Sequence, residues 1–152
     1  MLDPSLCFDG YVRGSSTAGK WCTKAVYDPD GTKGVRAFLL SEIAEWCSVC
    51  KSESSALQSI YESKWKALGI AVAQNLIENA SHGSPSLATA STWRTTFGAT
   101  WTVAIDPTRI VPAPTMPTVY VFDPRTMKIE RVFRGWGSSI PTVVESVAAR
   151  NK

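Results

Sequence analysis

Apolar residues recur in two different periods along this 152-residue chain. Gly34 to Ala44, Ile70 to Ala73 and Trp101 to Ile105 are short, nearly unbroken apolar runs of the kind that form strands buried on both faces. The segments between them change period. From Cys47 to about Leu68 the apolar positions Ala56, Leu57, Ile60, Tyr61, Trp65 and Leu68 fall three or four residues apart, which is one face of a helix ended by Gly69. Leu87, Ala90, Trp93 and Phe97 repeat that spacing as far as Gly98, with Ser84 as the expected cap and Pro85 in the first turn.

Four prolines between Asp106 and Pro117 force an irregular connection. Thr118 to Phe122 and Lys128 to Phe133 then read as a hairpin turning at Asp123-Pro124-Arg125, and Ile140, Val143, Val144 and Val147 form the apolar stripe of a final helix. Upstream, Trp21 to Tyr27 is expected to be a strand, Asp28-Pro29-Asp30-Gly31 a turn, and residues 1–20 a loop or extended lead-in. The order is β-α-β-α-β-β-α, an α/β fold with a mixed central sheet and helices on both faces. It divides into an N-terminal extension (1–20) and one domain (21–152).

Composition narrows the function classes. A net charge of +3, spread without a basic cluster, gives no footing for nucleic acid. No apolar stretch approaches the length needed to span a bilayer. Met1-Leu2-Asp3-Pro4 has no basic or apolar leader, so no signal peptide is visible, and Leu6-Cys7 lacks the context of a lipoprotein site.

The candidate chemistry lies in the cysteines. Trp46-Cys47-Ser48-Val49-Cys50 follows a buried strand and opens a helix. There the first thiol meets unpaired backbone N–H groups and the positive end of the helix dipole, which favour its thiolate. The second lies within one turn, close enough to resolve a mixed disulfide formed on the first. Zinc uses the same spacing but needs about four ligands. His82, in a polar Ser-His-Gly-Ser loop, is the only histidine, so no metal is expected. Cys7 and Cys22 stand apart; an even count hints at a second, structural disulfide and an oxidising compartment, while two unrelated cysteines, one half-buried and one in a mobile tail, are the plainer reading.

The element order, Trp-Cys-x-x-Cys after the first core strand and Met116-Pro117-Thr118 opening the hairpin resemble the thioredoxin fold, and more closely the TlpA/ResA-type extracytoplasmic thiol–disulfide oxidoreductases. The resemblance runs from about Tyr27 to the C-terminus and leaves out the residues before Trp21. It implies that Cys47 is the exposed nucleophile, Cys50 the resolving thiol and Trp46 a shield over the site. It also implies that Pro117 is a cis-proline and that Met116 offers backbone hydrogen bonds to a substrate strand. Glu53, three residues after Cys50, stands where such proteins often carry an acid and could relay a proton; a solvated first-turn carboxylate is the plainer reading. Ser41 occupies the position of the buried aspartate of thioredoxins. Glu42, on the opposite face of that strand, reads as a partly solvated or ion-paired carboxylate.

The expected partners are protein thiols and disulfides and an upstream redox partner, with no nucleic acid and no membrane span in a monomeric chain. No cofactor is expected, since the chemistry resides in the two sulfurs. The expected location is extracytoplasmic: periplasmic, secreted or tethered to a membrane. Two alternatives stand beside this reading. One is a non-catalytic binding or assembly module that kept the fold. The other is a peroxiredoxin-like peroxidase, although the residues before Cys47 lack that family's Pro and Thr. Copper delivery is weaker still, for want of a wider cysteine spacing and a partnering histidine.

Overall fold

Alternating side chains along the central strands separate two layers of core. A computed structural model describes all 152 residues, Met1–Lys152. The strands are β1 (Cys7–Tyr11), β2 (Gly19–Cys22), β3 (Ala37–Ala44), β4 (Ile70–Glu78), β5 (Thr102–Ile105), β6 (Thr118–Asp123) and β7 (Lys128–Arg134); the helices are α1 (Ser48–Ile60), α2 (Leu87–Phe97) and α3 (Ser139–Arg150). All seven strands join one sheet in the order β2-β1-β5-β4-β3-β6-β7. The pairs β3–β4 and β4–β5 are parallel and the other four are antiparallel.

Leu39, Ile43, Val72, Leu76, Val119 and Val121 face one way, into a cluster that also holds Leu57 and Trp65, Ala90 and Trp93, and Ile140 and Val144. All three α-helices therefore cover one face. The two crossovers β3–α1–β4 and β4–α2–β5 step across the sheet in the same direction, and right-handed crossovers then put both helices on the same side. On the second face the expected helix cover reduces to one 3-10 turn, Thr23–Ala25.

That second face is closed mostly by aromatic rings. Phe8 stacks on Trp21, Trp21 lies against Phe38, Phe38 stacks on Phe122, and Phe122 on Tyr120, with centroids 5.6–6.0 Å apart. Ala73 and Ala104 lie in the same layer, their short side chains leaving room for the larger rings.

The N-terminal region, expected as a loop or extended lead-in, is extended and takes part in the sheet: within residues 1–20, β1 pairs with both β2 and β5. Gly10 makes this close approach possible, because a Cβ there would stand 2.4 Å from the Ala104 Cα. The strand expected over Trp21–Tyr27 ends at Cys22, where the chain turns into the 3-10 segment. Buried Thr23 drives that turn: its hydroxyl donates to the Asp3 carbonyl (2.7 Å), tying the lead-in down. Cys7 and Cys22 face each other across β1 and β2 and are joined by a disulfide.

Helix boundaries shift for local reasons. α2 is capped by Ser86 rather than Ser84, because Ser86 and Thr89 form a reciprocal capping box. Gly98 ends it in the left-handed conformation (φ 58°). The first helix continues past Ile60 through a π turn over Tyr61–Trp65.

Candidate functional site

β3 ends at Ala44, and Glu45-Trp46 leads directly into α1 at Cys47. Cys47 is the N-cap of α1, with extended backbone and its sulfur accepting the Cys50 backbone N–H at 3.1 Å. Cys47 and Cys50 are joined in a disulfide with Cα atoms 5.2 Å apart. One helix terminus thus supplies both the reactive spacing and a donor aimed at the first sulfur.

Access to the pair is narrow. Cys47 keeps 4% of its surface exposed and Cys50 none, so the expected open nucleophile is instead a nearly covered sulfur. In the disulfide both cysteines belong to the helix-side core, against which Met116 and Trp136 pack. Exposed Trp46 and Val49 adjoin them in the chain. The Met116–Pro117 peptide bond is cis. The Pro117 carbonyl accepts from Gly135, whereas the backbone N–H and C=O of Met116 make no hydrogen bond within the chain. The Arg134-Gly135-Trp136-Gly137 turn therefore braces the proline loop.

Glu53 is not the solvated carboxylate of the plainer reading; it is fully buried. One of its oxygens accepts from the Ser41 hydroxyl and the other from the Gln74 amide, each at 2.9 Å. Burial outweighs these two donors and raises the carboxyl to about 7 from an ordinary 4.5. The i, i+3 spacing sets Glu53 on the same side of α1 as Cys50. Ser41, which lacks the acid of thioredoxins at its own position, instead holds one that arrives from the helix.

Gln74 was missed by sequence reasoning. Its Oε1 accepts from the indoles of Trp93 (3.1 Å) and Trp101 (2.9 Å), while its Nε2 reaches Glu53 and the Ser54 hydroxyl. The signal was a fully buried glutamine in the middle of an apolar strand, where a polar group must find partners.

Glu42 overturns its expectation as well. It is fully buried and has no ion pair; its one partner is the Asn75 amide at 2.8 Å, and its second oxygen has none. Burial, with the nearby Asp106 charge adding to it, pushes this carboxyl well above its usual range.

A second missed feature borders the cysteines. The Trp46 indole donates to Glu78 (2.7 Å) and its ring stacks on His82 with centroids 4.7 Å apart. His82 is exposed, as its polar loop suggested, but it is not a bare loop residue.

No protein-family model matches the sequence, and no curated protein of known function is similar to it at the sequence level. Solved structures are similar in fold. A secreted thiol-disulfide isomerase from Corynebacterium glutamicum superposes with a TM-score of 0.69 at 22% identity, over 96% of this chain and 84% of that one. A thioredoxin-family thiol:disulfide interchange protein from Chlorobium tepidum TLS gives 0.67 at 15% identity, over 97% and 94%. A thiol-disulfide oxidoreductase from Bacteroides fragilis gives 0.63 at 15% identity, over 95% and 99%. This is the thioredoxin fold. The likeness extends through nearly the whole chain, so the segment before Trp21, left outside the sequence resemblance, belongs to the shared architecture. Within this thioredoxin fold the Cys47–Cys50 pair stands at the N-terminus of α1, at the end of the sheet where parallel strands β3 and β4 finish.

Proposed function

We propose that this chain is a thiol–disulfide oxidoreductase that exchanges disulfides with protein thiols through Cys47 and Cys50. One observation carries the reading. Cys47 caps α1 with its sulfur on the Cys50 N–H, so the helix terminus favours a thiolate at that atom and its partner sulfur lies one turn away.

In the reducing direction, the Cys47 thiolate attacks one sulfur of a substrate disulfide and expels the other as a thiolate, which takes up a proton. Cys50 then loses its proton and attacks Cys47, forming the internal disulfide and releasing the second substrate thiol. Two electrons and two protons pass to the substrate. Oxidation of a substrate runs the same steps backwards. Glu53, raised to about 7, can hold or release a proton near neutral pH and stands one turn below Cys50, which suits it to receive the Cys50 proton. The free backbone groups of Met116 suit an extended substrate segment laid beside the sulfurs, with Trp46 and Pro117 as its walls. This chemistry needs no metal, flavin or nucleotide. An extracytoplasmic setting, with an upstream redox partner, fits the two disulfides.

The 4% exposure of Cys47 favours one rival, a non-catalytic module that keeps the bond as a clamp. Titration of the Cys47–Cys50 couple against dithiothreitol, read by thiol alkylation and mass, separates the two. A reversible two-electron midpoint between roughly −270 mV, as in reductants, and roughly −120 mV, as in strong oxidants, supports the enzyme and sets its direction. A bond that stays closed across that span, with insulin reduction no faster than dithiothreitol alone, sinks it.

A further inference from the structure

Glu78, the last residue of β4, gathers three side chains onto one carboxylate. Its Oε2 accepts the Trp46 indole N–H at 2.7 Å and lies 3.5 Å from His82 Nδ1; its Oε1 is ion-paired with Arg109. The Trp46 and His82 rings stack nearly parallel, at 25°.

Both loops that bring these partners are firmly built. The Asn79 side chain accepts the Ser81 and Gly83 N–H groups, and Glu45 accepts the Ala80 N–H at 2.8 Å, which holds the His82 loop to the residue before Trp46. On the other side the Asp106 carboxylate accepts from Ile110 and Val111, shaping the turn that carries Arg109. His82 (φ 62°) and Arg109 (φ 52°) both adopt left-handed backbone, which only one other non-glycine residue, Met127, shares. Such backbone costs energy and persists where its surroundings enforce it, commonly at functional sites. Here two such residues converge on the acid that holds the Trp46 indole.

We infer that Glu78 is the positioning residue of this site: it fixes Trp46, backed by His82 and Arg109, as a rim that favours polypeptide disulfides over small ones. The inference rests on the thiol–disulfide reading. Trp46 immediately precedes Cys47 and is 38% exposed, so its indole is available to a polypeptide that approaches the nearly covered cysteine. A free indole must be ordered at each encounter; one held by a charge-assisted bond is ordered beforehand. His82 stacks on one face of the ring, and the exposed part of Trp46 stays open to a visitor. Arg109 is half exposed and keeps guanidinium N–H groups for a visitor's carbonyl or carboxylate. A small disulfide touches little of this rim and gains little from it. The Glu78 carboxyl is held below its usual range, first by the Trp46 donation and, against the opposing effect of burial, also by Arg109 and His82; the clamp is therefore charged at neutral pH.

The test compares Glu78→Leu, which removes the clamp, with Glu78→Gln, which keeps an acceptor for the indole but loses the ion pair. Six indole N–H signals are expected from 15N-labelled protein, and Trp46→Phe assigns the relevant one. In Glu78→Leu that signal should move to a solvent-like position and exchange faster. KM for insulin should rise roughly tenfold while kcat and the rate with glutathione disulfide change by less than about twofold. Glu78→Gln should restore the indole signal and most of KM. Equal losses toward insulin and glutathione disulfide, or a Trp46 signal unmoved in Glu78→Leu, would overturn the inference. A parent protein inert toward both substrates would instead overturn the thiol–disulfide reading, and the selectivity with it.

Discussion

The two disulfides of this chain are opposites in placement. Cys7–Cys22 joins facing residues of adjacent antiparallel strands at the edge of the sheet, with Cys7 exposed and Cys22 half-buried. Cys47–Cys50 lies at a helix N-terminus, almost covered, with a backbone donor on the first sulfur and a perturbed acid one turn below the second. Exposure alone would make the edge bond the reactive one. What distinguishes the other is chemical support for a thiolate and for the proton it leaves behind. At the edge the Cys7 sulfur lies 3.5 Å from the Ser5 carbonyl, an acceptor that gives a thiolate no support. On the proposed reading, the contrast teaches that the exchanging bond is the one with supporting charges and donors rather than the more accessible one.

The comparison breaks most sharply if the pairs are removed separately. Cys47→Ala should abolish insulin reduction, a loss of at least about a hundredfold because the thiolate is the nucleophile. Cys50→Ala should leave a mixed disulfide on Cys47, visible by mass after incubation with an oxidised protein substrate. The Cys7→Ser/Cys22→Ser protein should still turn over. If that variant is the inactive one, the roles assigned to the two bonds are reversed.

Stability should respond the other way. Removing Cys7–Cys22, which spans 15 residues, should cost about 3 kcal/mol in the chain-entropy model, read from urea unfolding. The Cys47–Cys50 bond closes a much shorter loop, and its reduction should cost less by that measure. Equal shifts would show that the edge bond is no staple.

The acid beneath Cys50 gives a pH-dependent prediction. Folding raises Glu53 from 4.5 to about 7, so between those values the folded protein holds a proton that the unfolded chain has released. Stability contributed by this group is complete below 4.5, falls as pH rises, and by 7 has dropped by about 3 kcal/mol. Glu53→Gln should therefore gain on the parent steadily over that window in urea unfolding. Glu42, pushed up chiefly by its own burial, carries the same sign. A flat difference across the window would show that Glu53 is ionised in the fold. The smallest expected effect belongs to neither disulfide: Ser86→Ala removes half a capping box and should cost about 1 kcal/mol.

Much of this architecture was legible because it is local. The helical repeat Leu57, Ile60, Tyr61, the glycine stop at Gly98 and the hairpin between Val121 and Lys128 each depend on neighbours a few residues away. The same holds for the cysteine pair, whose spacing and position at a helix start can be read along the chain. β1 was illegible for the opposite reason. Cys7–Tyr11 has little apolar periodicity of its own and becomes a strand by pairing with β5, nearly a hundred residues on.

Chain order alone therefore determined the helices and the strands from Ala37 onward, the strand-to-helix turn and which two sulfurs stand one turn apart, since these follow from backbone preferences and side-chain period. Tertiary structure alone decided the state of the acids. Glu53 and Glu42 are ordinary glutamates in sequence, and only burial, working against the donors Ser41, Gln74 and Asn75, raises their carboxyls above the usual range. It likewise decided that Glu78, His82 and Arg109 meet at Trp46. The desolvation of a charge and the convergence of distant loops depend on which surfaces come together in space, and no local spacing encodes that.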